Sequence, residues 1–253
     1  MNPTPWTQKE KTLLLSRRLP NGWRRVKSSS YAWVAVCRDG SGQVRFFKFF
    51  LARSPAEAIK AVFKGRRSVR FVKETERLKG LGFLAPDVLA HGAGLWSRLK
   101  GEGWCLTRGL KGCGVMGFLH SQIRPEERRG FISALAAEVA RFHNQRIRHG
   151  DLRLSNIFVM DPDDMDQGRK WRFAFLDNER NRLYLTGLPW RERCRNLVQM
   201  NIDSVFVDVR DRLYFLGEYA KASGFEARIR RVLIRDVADW TERRIKARFK
   251  KEG

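Results

Sequence analysis

The sequence predicts an α+β fold in two lobes, a small β-rich N-terminal lobe and a larger, mainly helical C-terminal one. Three observations carry this. The first hundred or so residues alternate short β-prone runs with Gly- and Ser-rich turns. From Pro125 onward, apolar residues recur at helical spacing. Between the two, the apolar run Trp104-Cys105-Leu106-Thr107 leaves its strand at Arg108-Gly109, so the lobes are placed at 1–108 and 109–253.

Composition sets the outer limits. A chain of 253 residues with 43% hydrophobic content has ample material for a core. The 51 Lys+Arg against 27 Asp+Glu give a formal net charge of +24, which implies an anionic partner. The cations are scattered along the chain, so charge alone does not choose between nucleic acid, an acidic membrane surface and a phosphorylated glycolipid. Cys37, Cys105, Cys113 and Cys194 show no paired spacing and read as reduced core residues, which points to a cytoplasmic location. Met1 to Leu19 lacks a signal-peptide pattern, and no apolar run is long enough to span a bilayer.

The elements follow in order. Trp23–Val26, Trp33–Val36 and Val44–Leu51 read as three strands, the last two joined by the hairpin signal Asp39-Gly40-Ser41-Gly42. Lys48 is the only charge among the phenylalanines of the third strand; an edge lysine facing solvent is the plainer reading of it. Ser54-Pro55-Ala56-Glu57 is a capping box opening a short helix that Gly65 ends. A second helix is expected over 67–80, with Phe71, Val72 and Leu78 on one side and Glu74 and Glu76 as its candidate acids. A strand near Val88-Leu89 and the Trp104–Thr107 strand complete the first lobe. The strongest helix starts at Pro125-Glu126-Glu127 and carries Phe131, Leu135, Val139 and Phe142. His143, near its apolar side, reads as a packed core histidine. Asp161 to Gly168 reads as a solvated hairpin tip. The last helix sets Phe225, Ile229, Val232, Leu233, Trp240 and Ile245 on one face, with Arg228, Arg231, Arg235, Arg243, Arg244, Lys246, Arg248, Lys250 and Lys251 as its basic complement. That complement is either a solvated face or a surface resting on anionic lipid.

The stretch His149-Gly150-Asp151-Leu152-Arg153-Leu154-Ser155-Asn156 carries the chemistry, with Phe173-Ala174-Phe175-Leu176-Asp177 supplying a second acid. An acid, an Asn five positions later, an apolar strand and a second strand ending in Asp resembles the catalytic floor of protein-kinase-like phosphotransferases. Asp151 can orient an acceptor hydroxyl and take its proton. Asn156 and Asp177 offer hard oxygens for Mg²⁺. With these acids downstream, Lys48 becomes the lysine that grips the α- and β-phosphates, and Glu74 its partner, with Glu76 as the alternative. Ser28, Ser29 and Ser30 stand where such enzymes place a phosphate-covering loop, although a plain polar turn fits them nearly as well. Leu106, Thr107 and Gly109 fall at the hinge that would meet the adenine edge.

More narrowly, the chain resembles the lipopolysaccharide core kinases of the Kdo kinase and WaaP heptose kinase type. Lys48 in Phe-Phe-Lys-Phe-Phe, Glu74, Leu106-Thr107, His149-Gly150-Asp151 with Asn156, and Leu176-Asp177 with Arg180 carry the likeness. So do Arg195-Asn196-Leu197-Val198-Gln199-Met200-Asn201, Asp211 to Leu216, and Tyr219. The resemblance implies ATP and Mg²⁺, Asp151 as catalytic base, Asn156 and Asp177 as metal ligands, and a Kdo or heptose hydroxyl of the lipopolysaccharide inner core as acceptor. It also implies work at the cytoplasmic face of an inner membrane, where peripheral contact with anionic lipid would suit the charge. Gly150 replaces the Arg that regulated protein kinases use to read activation-loop phosphate, and Asn178-Glu179 replaces Phe-Gly. Both departures argue for a constitutively assembled site. The alternative within the fold is an atypical protein kinase or an antibiotic-type phosphotransferase; a cationic aminoglycoside would be repelled by so basic a protein. No nucleic-acid motif is found.

Overall fold

A computed structural model describes residues 6–52, 54, 65–94, 100–161, 170–202 and 207–252. The short helix expected after Ser54 and the hairpin tip beyond Asp161 therefore lie outside the described residues. The chain divides into two compact units, Met1–Leu110 and Lys111–Gly253.

The first unit is built on a five-stranded antiparallel sheet of β1 (Trp23–Val26), β2 (Ala32–Arg38), β3 (Val44–Phe50), β4 (Val88–Gly92) and β5 (Gly103–Arg108), in the order β1-β2-β3-β5-β4. The β2–β3 turn forms because the Asp39 carboxylate accepts from Ser41 N at 3.0 Å and Gln43 N at 2.9 Å, while Gly42 takes φ +80°. Alternation along β3 sends Phe47 and Phe49 to one face, where they pack with Trp23, Ala35, Trp104 and Leu106. Phe50 goes to the other face, against Phe71. Each such side chain removed from water contributes about 1.5–3 kcal/mol. Phe71 belongs to α2 (Arg67–Gly80), whose ends match the expectation from sequence.

A helix not expected from the sequence, α1 (Gln8–Leu15), precedes the sheet. Thr7 and Glu10 cap it reciprocally, Thr7 N donating to Glu10 at 2.7 Å and Glu10 N to Thr7 Oγ1 at 3.2 Å. Leu14 then enters the sheet's core.

The second unit opens with β6 (Gly112–Gly114) and α3 (Val115–Ser121). The long helix α4 (Arg128–Asn144) follows. It starts three residues later than the proline suggested, because Pro125-Glu126-Glu127 forms a turn, with Glu127 paired to Arg124 at 2.5 Å and Lys170 at 2.6 Å. Its apolar stripe is as expected: Phe131, Leu135, Val139 and Phe142 are buried. Next come β7 (Ile147–Arg148), β8 (Ile157–Met160), β9 (Phe173–Phe175) and β10 (Arg182–Leu183). The strands β6, β8 and β9 form one small sheet, and β7 pairs with β10. Three helices close the unit: α5 (Trp190–Ile202), α6 (Val209–Ala222) and α7 (Ala227–Glu252). α4 packs on α6, and α5 on α7. On α7 the buried positions are Leu233, Val237 and Thr241, whereas Ile229 and Ile245 are exposed. The apolar face read from sequence was thus too wide: packing against α5 and α6 fully buries only the narrow 233-237-241 stripe.

Candidate active site

In the second unit the site is a loop held by its backbone. β7 delivers the chain into His149, which is fully buried. Its ring nitrogen Nδ1 accepts from Asp151 N at 3.1 Å, so Nε2 carries the proton and donates to Leu176 O at 2.9 Å. Burial pushes the His149 pKa down, in keeping with this neutral ring, against the pull of the Leu176 carbonyl and of Asp151 and Asp177. One imidazole thus joins the first acid's loop to the residue before the second acid. Asn156 makes a parallel link. Its Nδ2 donates to Asp151 O at 2.9 Å, and its backbone carbonyl accepts from Leu176 N at 2.9 Å. Leu176 is gripped through both its N–H and its C=O, so Asp177 leaves the end of β9 at a fixed point beside the loop. Asp177 itself adopts φ +56°, a left-handed conformation that Asp tolerates better than most residues.

The Gly150 backbone has its own anchor. Its N–H donates to Asn181 Oδ1 at 3.1 Å, Asn181 Nδ2 to Asn178 Oδ1 at 3.1 Å, and Asn178 Nδ2 to Phe175 O at 3.1 Å. A Cβ at Gly150 would lie 2.0 Å from Arg180 Cβ and 2.7 Å from its carbonyl carbon. The glycine is required by close backbone approach, a local reason that sequence reading, which treated it as a lost regulatory arginine, did not supply.

A buried polar network stands behind the loop. Asn196 on α5 accepts from His149 N at 2.9 Å and donates to His149 O at 2.8 Å and to Gln199 Oε1 at 2.8 Å. Gln199 Oε1 also accepts from Leu152 N at 3.3 Å. His143, on α4, donates from Nε2 to Asn196 Oδ1 at 3.2 Å and accepts from the Tyr219 hydroxyl at 2.7 Å. Arg193 donates to that hydroxyl at 2.6 Å. Burial holds His143 neutral, its pKa down to about 3, and raises Tyr219 to about 12. His143 is the core histidine expected. The roles of His149, Asn196, Gln199, Asn178 and Asn181 were not foreseen. The only sequence signals were the loop's leading His and the Asn-x-x-Gln spacing on α5, which puts both amides on one helical face.

The two acids differ in their surroundings. Asp151 is partly exposed and accepts from Arg153 Nε at 3.0 Å. Asp177 is exposed. Asn156 Oδ1 and the Asp177 carboxylate are hard oxygen donors, the chemistry Mg²⁺ prefers when phosphate oxygens and water complete its shell. The donor set fits that metal.

In the first unit, Lys48 lies on β3, the central strand, opposite Val34 and Cys105. This excludes the solvent-facing edge position. Its ammonium stands 5.0 Å from the Phe50 ring centroid, on the sheet face that α2 covers. Glu74 is the more buried acid of α2, with 13% of its side chain exposed against 52% for Glu76. Its carboxylate is held by Arg77 at 2.6 Å, and burial raises its pKa despite that guanidinium. The Ser28 hydroxyl donates to Ala32 O at 2.7 Å and closes the turn, while Ser29 and Ser30 are exposed. Leu106 is fully buried in the sheet, and Thr107 pairs with Phe46 and Val88. Gly109 N donates to Val44 O at 2.7 Å.

The fold is that of the protein-kinase-like phosphotransferases, and comparison narrows the class. The model of the lipopolysaccharide kinase (Kdo/WaaP) family matches residues 52–219, and the chain belongs to that family. Among solved structures it is similar to WaaP in complex with acyl carrier protein, with TM-score 0.58, 18% identity and 88% of each chain covered. It is also similar to the Rio2 kinase of Chaetomium thermophilum in its ADP/Mg²⁺-phosphoaspartate complex, with TM-score 0.53, 13% identity, and 85% of this chain and 70% of that one covered. A search of curated proteins gives no match. The protein is an ATP-dependent phosphotransferase of the lipopolysaccharide kinase family. No helix among the described residues is long and apolar enough to cross a membrane.

Proposed function

We propose that this protein transfers the γ-phosphoryl group of ATP to a Kdo or heptose hydroxyl of the lipopolysaccharide inner core. The observation that supports the reading is the double grip on Leu176, by His149 and Asn156, which ties the loop of Asp151 to the residue before Asp177. In the reaction the acceptor oxygen bonds to the γ-phosphorus as the bond to the β-bridging oxygen breaks, and ADP leaves. Asp151 orients the acceptor hydroxyl and takes its proton. Asn156 Oδ1 and Asp177 would hold Mg²⁺, which when bound offsets charge on the phosphate oxygens. Lys48 would grip the α- and β-phosphates, with Glu74 as its carboxylate partner. Ser29 and Ser30 offer hydroxyl donors to the phosphates, with Ser28 shaping their loop. Leu106, Thr107 and Gly109 would flank the adenine; the Gly109 N–H is engaged by Val44, so its carbonyl is the group suited to the base. The exposed cations of α7 (Arg228, Arg231, Arg235, Arg243, Arg244, Lys246, Arg248 and Lys250) would favour an anionic acceptor in an anionic cytoplasmic leaflet.

The test is transfer of labelled γ-phosphate from Mg·ATP to purified deep-core lipopolysaccharide. Label is expected in the sugar fraction, with Asp151→Ala lowering turnover by at least about 10³-fold while ATP still binds. Undiminished transfer by Asp151→Ala would remove the residue from the chemistry. ATP binding with no labelled sugar would remove the acceptor from the proposal.

A further inference from the structure

Beyond the reaction centre, the second unit contains a groove of about 580 Å³ between α5 and α7, lined by Trp190, Arg191, Asp239, Trp240, Arg243 and Arg244. Buried Cys194 lies at its inner side. We propose that this groove is a second saccharide-binding site, which holds a phosphorylated or carboxylated sugar of the acceptor away from the hydroxyl that is phosphorylated. The inference rests on the reading of the acceptor given above.

The lining is a mixture that neither a core nor a solvated surface requires. Two indoles border one space; a pyranose ring has an apolar C–H face that stacks on such rings, and its hydroxyls point sideways to polar partners. Trp190 is held in place: its Nε1 donates to Asp236 at 2.9 Å, and its ring packs 5.9 Å from Phe225, yet 37% of the residue is exposed. Carboxylates accept hydrogen bonds only, so Asp239 suits sugar hydroxyl donors. Arg191, Arg243 and Arg244 are exposed guanidiniums, fork-shaped donors that match a sugar phosphate or carboxylate. The volume lies within the ordinary range of small-ligand pockets, roughly 300–1,000 Å³.

The groove also has a defined position relative to the loop. α5 touches the loop through Asn196 and Gln199, and it lines the groove through Trp190, Arg191 and Cys194. Cys194 and Asn196 are two residues apart, on opposite sides of a helix whose diameter with side chains is about 10 Å. A single monosaccharide cannot reach both sites. An extended, branched, charged oligosaccharide can.

The probe is the core oligosaccharide released from lipopolysaccharide by complete deacylation, with its dephosphorylated form, inorganic phosphate and AMP as comparisons. The full chain is labelled with 5-fluorotryptophan and titrated by ¹⁹F NMR. The Trp190 and Trp240 resonances, assigned through Trp190→Phe and Trp240→Phe, are expected to shift with the phosphorylated oligosaccharide. Trp240→Ala and Arg244→Ala should each weaken its binding by about tenfold, as loss of an anchoring side chain does. Asp151→Ala should leave it unchanged. Turnover should keep its kcat in Trp240→Ala while KM for the oligosaccharide rises. Equal shifts from inorganic phosphate or AMP would overturn the saccharide assignment, as would unchanged affinity in a folded Trp240→Ala. Groove binding by an oligosaccharide that the wild-type protein does not phosphorylate would keep this site and defeat the acceptor proposed above.

Discussion

The two candidate acids and the lysine proposed to meet phosphate are held in place by different means, and the contrast predicts where the protein is fragile. In the second unit the loop is held through its backbone: Gly150, Asp151 and Leu152 each donate their N–H to a side chain, and His149 uses its N–H, its C=O and its ring. The partners are the buried amides of Asn181 and Asn196, the half-buried amide of Gln199 and the buried His149 ring. In the first unit the candidate charges sit at the ends of long side chains, and Glu74 is held by a half-exposed arginine one turn away. Backbone anchoring leaves no slack for substitution, while side-chain anchoring can re-form with a new rotamer.

The largest effect should follow Gly150→Ala. The added methyl would meet the Arg180 backbone at well under van der Waals distance, so either the 3₁₀ turn at Asn178–Arg180 moves or the loop does. A loss of about 2–4 kcal/mol is expected, with transfer activity down by orders of magnitude even where the protein still folds. Urea unfolding together with phosphotransfer measures both. A near-silent Gly150→Ala would show that the loop has more freedom than its contacts imply.

Asn196→Leu should come next. It strips the His149 N–H and C=O, the Gln199 amide and His143 of a common partner inside the core. Unsatisfied buried groups cost about 1–3 kcal/mol each before relaxation, so destabilisation of roughly 3 kcal/mol is expected. Denaturant midpoints would settle it: a loss under about 1 kcal/mol would mean that the network is redundant.

The same network gives a pH dependence. His143 titrates near 6.5 when unfolded and at about 3 when folded. The unfolded chain therefore binds the extra proton as pH falls through 6.5. Stability contributed by keeping this ring neutral is complete above that value and is lost between about 6.5 and 3. His149 is shifted in the same direction. Wild-type unfolding free energy should fall by on the order of 1 kcal/mol per pH unit more steeply than that of His143→Gln between pH 6 and 4. Parallel slopes would mean that other groups set the acid limb.

This division also explains what could be read from the sequence. Strands, the hairpin, the ends of α2 and the stripe of α4 were legible because each is encoded locally, by alternation, turn chemistry or helical period. The candidate acids and Asn156 stand out in the sequence because their order along the chain is itself the signal. Asn178, Asn181, Asn196 and Gln199 were not legible, because an amide that holds a backbone group is indistinguishable in sequence from a surface one until its partners are known, and His149's partner lies at residue 176. The N-terminal helix was overlooked despite a legible Thr7-Gln8-Lys9-Glu10 capping box, since its packing depends on Leu14 meeting a sheet formed later in the chain.

Arg77→Ala is the sharpest check on the comparison because it should do so little. The pair it removes is one turn long, with 31% of the arginine side chain exposed, so solvent screening limits its worth to below about 1 kcal/mol. Its effect on the site should be indirect. Released from Arg77, the Glu74 carboxylate loses its nearest cation while burial still disfavours its charge, so its proton affinity should rise further. If Lys48 is the partner Glu74 meets when nucleotide binds, Arg77→Ala should leave KM for ATP unchanged or slightly lower, because a competing cation has gone. Glu74→Gln should raise that KM severalfold at nearly constant stability. A rise in both variants would make Arg77 part of the nucleotide site in its own right. A change in neither would assign Glu74 to the helix surface alone, and the contrast between the two units would then lie between a built site and an ordinary charged helix.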